Sequence, residues 1–468
     1  MAADTESFRN ELGVLEKDGK RKKMYPRHVS GKFYTLRTIL GVGLLALMFA
    51  GPFLKVNGHP LMLFNILERK FIVFGIAFFP QDLYLFALTL LTFIVFIVLF
   101  TVVFGRLFCG WACPQTIFME MVFRRIEYWI EGDASQQKKL DASPWNTEKI
   151  IKRGSKHLIF FLISFLIANT FLAYLIGIDE LEKLIIDTPV QHIGNFIALI
   201  IFTLVFYTVF AYVRELVCIV ICPYGRLQSV LLDNNSIVVA YDFIRGEPRG
   251  KLQKHVKTEN IAPVGDCVDC KLCVQVCPTG IDIRNGTQLE CVNCTACMDA
   301  CDEVMIKIEK PEGLIRYASM NGIKQGAKKI FTPRVIGYSA VLVVLISLTS
   351  FLLLSRSPMQ MTVLRTPGML YQEIDRNTIG NLYSADFVNK TFDDMVVEIR
   401  LKSGPGMIKM IGTDSKFTVP KQNVLKATFF IQVPKDKIQV NNTPFVIEAF
   451  VNGIVVSQTK TSFIAPVK

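Results

Sequence analysis

Five stretches of the chain are apolar over about the 20 residues that a helix needs to cross a bilayer. They run from Thr35 to Leu54, Leu83 to Phe104, Leu158 to Ile178, Ile193 to Val213, and Val335 to Leu354. The polar residues between them are unevenly charged. The tail before the first span carries Lys20, Arg21, Lys22, Lys23, Arg27 and Lys32, and the second connection carries Arg106, Arg124, Arg125, Lys138, Lys139, Lys149, Lys152, Arg153 and Lys156. The third connection reads IDELEKLIIDTP, with Asp179, Glu180, Glu182 and Asp187 against Lys183 alone. The bias of basic loops toward the cytoplasm puts the first two regions inside and the third outside, with the termini on opposite sides.

Three further patterns are not spans. The first connection, Lys55 to Asp82, contains FNILERKFIVFGIAFFP, too short and too charged at its centre to cross and too apolar to lie free in water. It is expected to be interfacial or re-entrant. After Pro114, QTIFMEMVFRRIEYWI places Phe118, Met121, Val122, Ile126, Trp129 and Ile130 on one helical stripe with Arg124, Arg125 and Glu127 off it, as in a helix lying on the inner membrane surface. From Ser357 onward, short runs such as MVVEIRL, KATFFIQV and FVIEAFV alternate with Gly, Pro, Asn and Asp turns, which predicts a small all-β domain, a sandwich of immunoglobulin-like type.

The resulting fold class is a polytopic α-helical membrane protein with five transmembrane helices, an inserted module between the fourth and fifth, and an external β-domain. Its divisions are a basic tail at 1–34, a four-helix membrane core at 35–230, the insert at 231–333, the fifth helix at 334–356, and the β-domain at 357–468. Composition agrees: 51% of residues are hydrophobic, 36 are Phe, and mean hydropathy is +0.38. Met1 to Lys32 has no apolar core of a secretory signal, so the first span is expected to be retained. A net charge of +12 suggests nucleic acid at first sight, but the basic residues cluster beside the spans, where membrane lipid and topology account for them. A channel or transporter is disfavoured because the spans hold almost no ionisable residues.

Eight of the twelve cysteines fall between Cys267 and Cys301, as CVDCKLCVQVCP, a spacer, and CVNCTACMDAC. Three thiolates spaced by two residues can close around one face of a cubane while the fourth reaches a second cubane. The spacing therefore predicts two [4Fe–4S] clusters with crossed ligation, Cys267, Cys270, Cys273 and Cys301 on one, Cys277, Cys291, Cys294 and Cys297 on the other. Pro278 follows the first fourth-position cysteine as this pattern expects, whereas Asp302 stands where a second proline would be, a change expected to touch only a turn. Zinc is the alternative for paired cysteines, but four thiols within eleven residues, twice over, suit tetrahedral sites poorly. Such ligation belongs in a reducing compartment, which agrees with a cytoplasmic insert.

The remaining four cysteines form two matching motifs. The second span ends in RLFCGWACPQ and the fourth in RELVCIVICPYGR, each Cys-x3-Cys-Pro. Residues four apart share a helix face, so Cys109 with Cys113, and Cys218 with Cys222, each present two thiols. The prolines are expected to bend or restart the helix directly after the second cysteine. Spans one and two thus resemble spans three and four, as in a parallel repeat sharing one site. A single cysteine at a membrane edge is ordinarily a packing residue; two matching pairs favour a metal site or redox dithiols. Arg106, Arg214 and Arg226 stand beside these motifs, where they lower thiol pKa values or, more commonly, snorkel to lipid phosphate. His59, His192, Met359 and Met361 flank the outer ends of spans, a possible copper entry site against the commoner reading as packing residues, and His157 and His255 lie on the inner side.

Taken together, FCGWACPQ and CPYGR beside CVDCKLCVQVCP, five spans and a C-terminal β-domain resemble the FixG/CcoG/RdxA family of oxidase accessory proteins in bacterial inner membranes. The resemblance implies a role in assembling cbb-type cytochrome c oxidase by reducing Cu(II) to Cu(I), with the eight cysteines of the insert as cluster ligands. Cys109, Cys113, Cys218 and Cys222 are then the candidate catalytic and copper thiols. It further implies oxidase subunits or copper chaperones and transporters as partners, and a cytoplasmic electron donor that the residues do not specify. Two alternatives stay open at this point: a quinol- or quinone-linked respiratory subunit, since similar Cys-x3-Cys-Pro helices occur in such systems, and a non-catalytic assembly scaffold.

Overall fold

All five apolar stretches are helical in the computed structural model, which describes residues 18 and 22–466 apart from 57–58, 67–69, 187–192, 252–263, 327–329 and 413–414. The spans are α1 (Lys32–Ala50), α2 (Leu83–Phe104), α3 (Thr147–Ile176), α4 (Ile193–Thr208) and α5 (Pro333–Leu354). Their side chains are largely unburied by protein, as Ile39, Leu47, Phe93, Leu162 and Val343 illustrate, which is the surface that lipid covers. Helix α3 begins eleven residues before the expected Leu158. Asn146 caps it by accepting from the Lys149 backbone N–H, and Arg153 and Lys156 find carboxylate partners there, so a stretch read as a basic loop is helix.

The chain divides into two units, 1–53 with 90–346 and 54–89 with 347–468. In the first unit, α3 and α4 pack along one another around Phe160, Ile167 and Phe210. Residues 114–131 were expected to lie on the membrane surface with a polar face outward. Instead a π-helical turn, Phe118–Phe123, inserts into the helix and shifts its register. Phe118, Phe123 and Ile126 then bury against Phe160 and Phe210, Arg124 and Glu127 are buried as well, and Trp129 is exposed. The insert is built on an antiparallel strand pair, Val238–Tyr241 with Ile315–Ala318. Val239, Tyr241, Ile281, Ile283, Met298, Met305 and Leu314 form its core beside the cysteine loops.

In the second unit, the β-domain has strands β1 (Met359–Arg365), β2 (Gln372–Asp375), β3 (Thr378–Asn389), β4 (Met395–Ser403), β5 (Met407–Ile411), β6 (Lys416–Val419), β7 (Val424–Pro434), β8 (Asn442–Val451) and β9 (Ile454–Ile464). One sheet runs β5-β7-β3-β1 with β2 also on β3, and the other β6-β4-β8-β9. Alternate residues face inward, and Tyr383, Phe387, Phe429, Phe445 and Phe463 fill the space between the sheets. The expected sandwich is therefore present. The first connection carries a three-stranded antiparallel meander, Met62–Asn65, Lys70–Val73 and Ile76–Phe78, which the sequence reading of an interfacial or re-entrant segment did not anticipate. Leu63, Ile72, Ala77 and Phe79 bury against Val388 and Phe392 of the β-domain. Alternation of period two, hidden in a short apolar run, gives these side chains a protein surface to cover. Asp82 at the end of this meander is buried between Arg356 and Lys390, with Nζ of Lys390 at 2.5 Å.

Candidate functional site: two thiol cavities and a thiol pair repeat

Each three-cysteine loop of the insert turns through left-handed residues on either side of its middle cysteine, Asp269 and Lys271 in the first, Asn293 and Thr295 in the second. Positive φ is uncommon outside glycine and strained for a β-branched threonine, so its recurrence at matching positions marks a shape imposed by the site. The turns direct sulfurs into two cavities. Cys267, Cys270, Cys273 and Cys301 line one, and Cys277, Cys291, Cys294 and Cys297 line the other, with Cys273 at its margin. Cys273 lines both cavities, and the other seven cysteines divide between them as the crossed pattern expects. Asp302 lies in no turn: the helix Ala296–Lys307 continues through it, and its carboxylate accepts from the Gly313 N–H.

Burial pushes the Cys273, Cys291 and Cys301 thiols up to about 12 and Cys294 up to about 11. Thiolates held in such surroundings need a compensating cation, and an iron–sulfur core supplies it. The donor set and the cavities fit a cubane each.

The two Cys-x3-Cys-Pro motifs share several backbone features, although Cys109 lies in an α-helical turn and Cys218 in a π-helical one. Four residues before the first cysteine, Gly105 (φ 56°) and Arg214 (φ 50°) are both left-handed. The second cysteines, Cys113 and Cys222, are extended, and Pro114 and Pro223 restart helices as expected. The halves also interlock. Cys109 Sγ lies 3.3 Å from Gln228 Oε1, which follows the second motif, and Thr116, which follows the first, lies beside Cys218 and lowers its pKa. Burial, then Cys113, raises Cys109 to about 11; burial, then Cys113, Cys109 and Cys222, raises Cys218 to about 12. The four thiols share one site.

That site abuts the second cavity. Arg37, buried in α1, donates from Nε to the Gly110 carbonyl at 3.0 Å and from Nη1 to the Cys294 carbonyl at 2.7 Å. A Cβ on Gly110 would meet the carbonyl oxygens of Asn293 at 2.5 Å and Val292 at 2.6 Å. Arg106 donates to the carbonyls of Leu289 and Gly225, the latter at 2.6 Å, so one guanidinium ties both motifs to the loop before Cys291. Burial lowers the Arg106 pKa, against Cys291, Cys109, Glu290 and Cys218, which raise it. Arg106 and Arg214 are each 6% exposed and do not snorkel. Arg106 does pull the Cys109 pKa down, but burial outweighs it.

Around this junction runs a buried ion network. Arg214 grips Glu127 with two hydrogen bonds of 2.9 and 2.7 Å, Arg124 pairs with Glu215, and Lys156 lies 2.9 Å from Glu131. Burial alone would raise the Glu127 carboxyl; Arg214, with Lys156 and Arg124, overrides it and holds the pKa at about 2. Sequence reasoning missed Arg37, Thr116, Gln228 and this network, although a lone arginine inside an apolar span was a visible signal. Of the candidate outer copper site, Met359 and Met361 are β-domain core, and the His59 ring packs 4.3 Å from Phe392. His157 bonds Tyr207 at 2.9 Å, and His192 and His255 lie outside the described residues.

Comparison with known proteins agrees with this anatomy. Residues 213–320 match a 4Fe-4S dicluster domain, 86–133 a 4Fe-4S binding domain, and 349–466 the Ig-like fold at the C-terminal of FixG. The chain is 31% identical to Protein RdxA of Cereibacter sphaeroides over 415 residues, 86% of each chain. It is 35% identical to Protein RdxB of the same organism over 391 residues, 79% of this chain and 80% of that one. Nitrogen fixation protein FixG of Rhizobium meliloti is 36% identical over 309 residues, 64% of this chain and 58% of FixG's own length.

Proposed function

The chain belongs to the FixG/RdxA family, and from that premise we propose that it is a membrane-bound iron–sulfur reductase that converts Cu(II) to Cu(I) for assembly of a cbb-type cytochrome c oxidase. The membrane is the bacterial inner membrane, with the tail and the cysteine insert in the cytoplasm and the β-domain outside. Cys267, Cys270, Cys273 and Cys301 would hold one [4Fe–4S] cluster, and Cys277, Cys291, Cys294 and Cys297 the other. When bound, these groups supply single-electron transfer at low potential.

The observation that carries the reading is the contact of the Cys109–Cys113 turn with the Cys291–Cys294 loop, fixed by Arg37 and by the absence of a side chain at Gly110. It supports a reading in which the four motif thiols form the acceptor end of an electron path that starts in the insert. Each Cu(II) takes up one electron there, so a two-electron cytoplasmic donor, such as a reduced flavin, serves two copper ions. Sulfur is a soft surface that favours the cuprous product over the cupric substrate. The buried Arg214–Glu127 and Arg124–Glu215 pairs hold the helix after Pro114 against α4, and so hold the two motifs together. Oxidase subunits and copper carriers are the partners this role requires, the β-domain being the part placed to meet them outside the membrane. Reduced protein mixed anaerobically with Cu(II) and a cuprous chelator tests it: the chelate colour should develop, and protein that stays reduced beside unconverted Cu(II) would refute it.

A further inference from the structure

Building on the reading that the four motif thiols end the electron path, we propose that Cys109, Cys113, Cys218 and Cys222 together hold a third [4Fe–4S] cluster, two ligands from each half of the repeat. Three observations lead there. First, residues 86–133 match a 4Fe-4S binding domain, yet Cys109 and Cys113 are the only cysteines in that stretch. A cubane takes four thiolates, so two more must come from elsewhere. Cys222 repeats the extended, proline-followed geometry of Cys113, and Cys218 shares the site.

Second, the site carries polar groups that its own thiols do not satisfy. Gln228, fully buried, has Nε2 without a partner, as have Thr116 Oγ1 (1% exposed) and Arg106 Nε. An unpaired buried donor costs about 1–3 kcal/mol. With the Gln228 amide turned over, Nε2–H takes the place of Oε1 and donates to Cys109 Sγ, a choice of orientation that the heavy atoms alone do not fix. Donors gathered round sulfur are what a metal-bound thiolate accepts, and Arg106 adds a positive charge beside it. Neutral thiols make poorer use of this arrangement.

Third, the close approach at Gly110 and the Arg37 bridge set these thiols beside the loop of Cys291 and Cys294, where a further cluster would continue the path from the insert. Copper then remains the substrate, reduced at this site and not stored in its four sulfurs.

Iron and acid-labile sulfide determination on anaerobically purified full-length protein tests this. The expected content is about twelve irons per chain. Cys113→Ser with Cys222→Ser should lose about a third of the iron and one paramagnetic centre while the two centres of the insert keep their signals. Gln228→Leu, which retains every cysteine, should keep the iron and move only that third centre to lower potential, because hydrogen bonds to sulfur tune potential. About eight irons in the unaltered protein, or one tightly bound copper in place of the missing four, would overturn the proposal. Twelve irons with no copper reduction would uphold it and instead refute the choice of copper as acceptor.

Discussion

The carbonyl oxygen of Asn293 lies where a side chain on Gly110 would begin, 2.5 Å from an ideal Cβ, and the neighbouring Val292 carbonyl is as near. Backbone thus meets backbone between the first Cys-x3-Cys-Pro turn and the loop that carries Cys291 and Cys294. Gly110→Ala should force these apart. Because the obstructing atoms are main-chain, overpacking should cost about 1–3 kcal/mol, read as a lower midpoint of thermal unfolding in detergent. Copper reduction should fall further than iron content does.

Arg37 fastens the same junction. Arg37→Met keeps much of the side chain's bulk but removes donors to the Gly110 and Cys294 carbonyls, and hydrogen bonds from a charged group contribute about 1.5–3 kcal/mol each. Hydrogen exchange at residues 291–295 should accelerate in this variant. Exchange unchanged from the parent would mean that the guanidinium does not brace the loop.

The Arg214–Glu127 pair makes a pH prediction. The Glu127 pKa is depressed from 4.5 to about 2 by folding, so its contribution to stability is complete above pH 4.5 and is lost as the pH falls toward 2. Arg214→Met leaves a buried carboxylate with poorer company, at a cost of about 3–5 kcal/mol near neutrality. Its carboxyl pKa should rise, so that the variant's deficit narrows as the pH drops through this window. Unfolding midpoints of both proteins between pH 7 and pH 3 measure that narrowing.

Asp302→Pro tests the placement of Cys301. The residue sits in the interior of the helix Ala296–Lys307, where proline costs about 3 kcal/mol or more. The variant should lose the cluster signal assigned to Cys267, Cys270, Cys273 and Cys301 before the other. A proline tolerated there with both signals intact would contradict that helix.

The spans, the crossed cysteine grouping, the β-sandwich and the helix restarts at Pro114 and Pro223 were all legible because each rests on a short-range rule of periodicity, spacing or proline stereochemistry. The failures share a cause. Lys55 to Asp82 looked like a membrane segment because the β-domain surface that covers Ile72 and Phe79 lies some 300 residues further along the sequence. The stripe after Pro114 holds at Phe118, Met121, Val122, Ile126 and Ile130 but not at Trp129, because a π-turn adds a residue to the helical count. Arg37, Gln228 and Thr116 matter through partners distant in sequence, which no local pattern reveals.

Electronic continuity between the insert and the motif thiols is tested most directly by comparing Cu(II) reduction in the unaltered protein with that in Cys113→Ala, Cys222→Ala, both first reduced until the clusters of the insert are fully bleached. The variant should keep those clusters reduced and leave Cu(II) unconverted. Conversion at the unaltered rate would contradict the account, because electrons would then reach copper without passing the motif thiols.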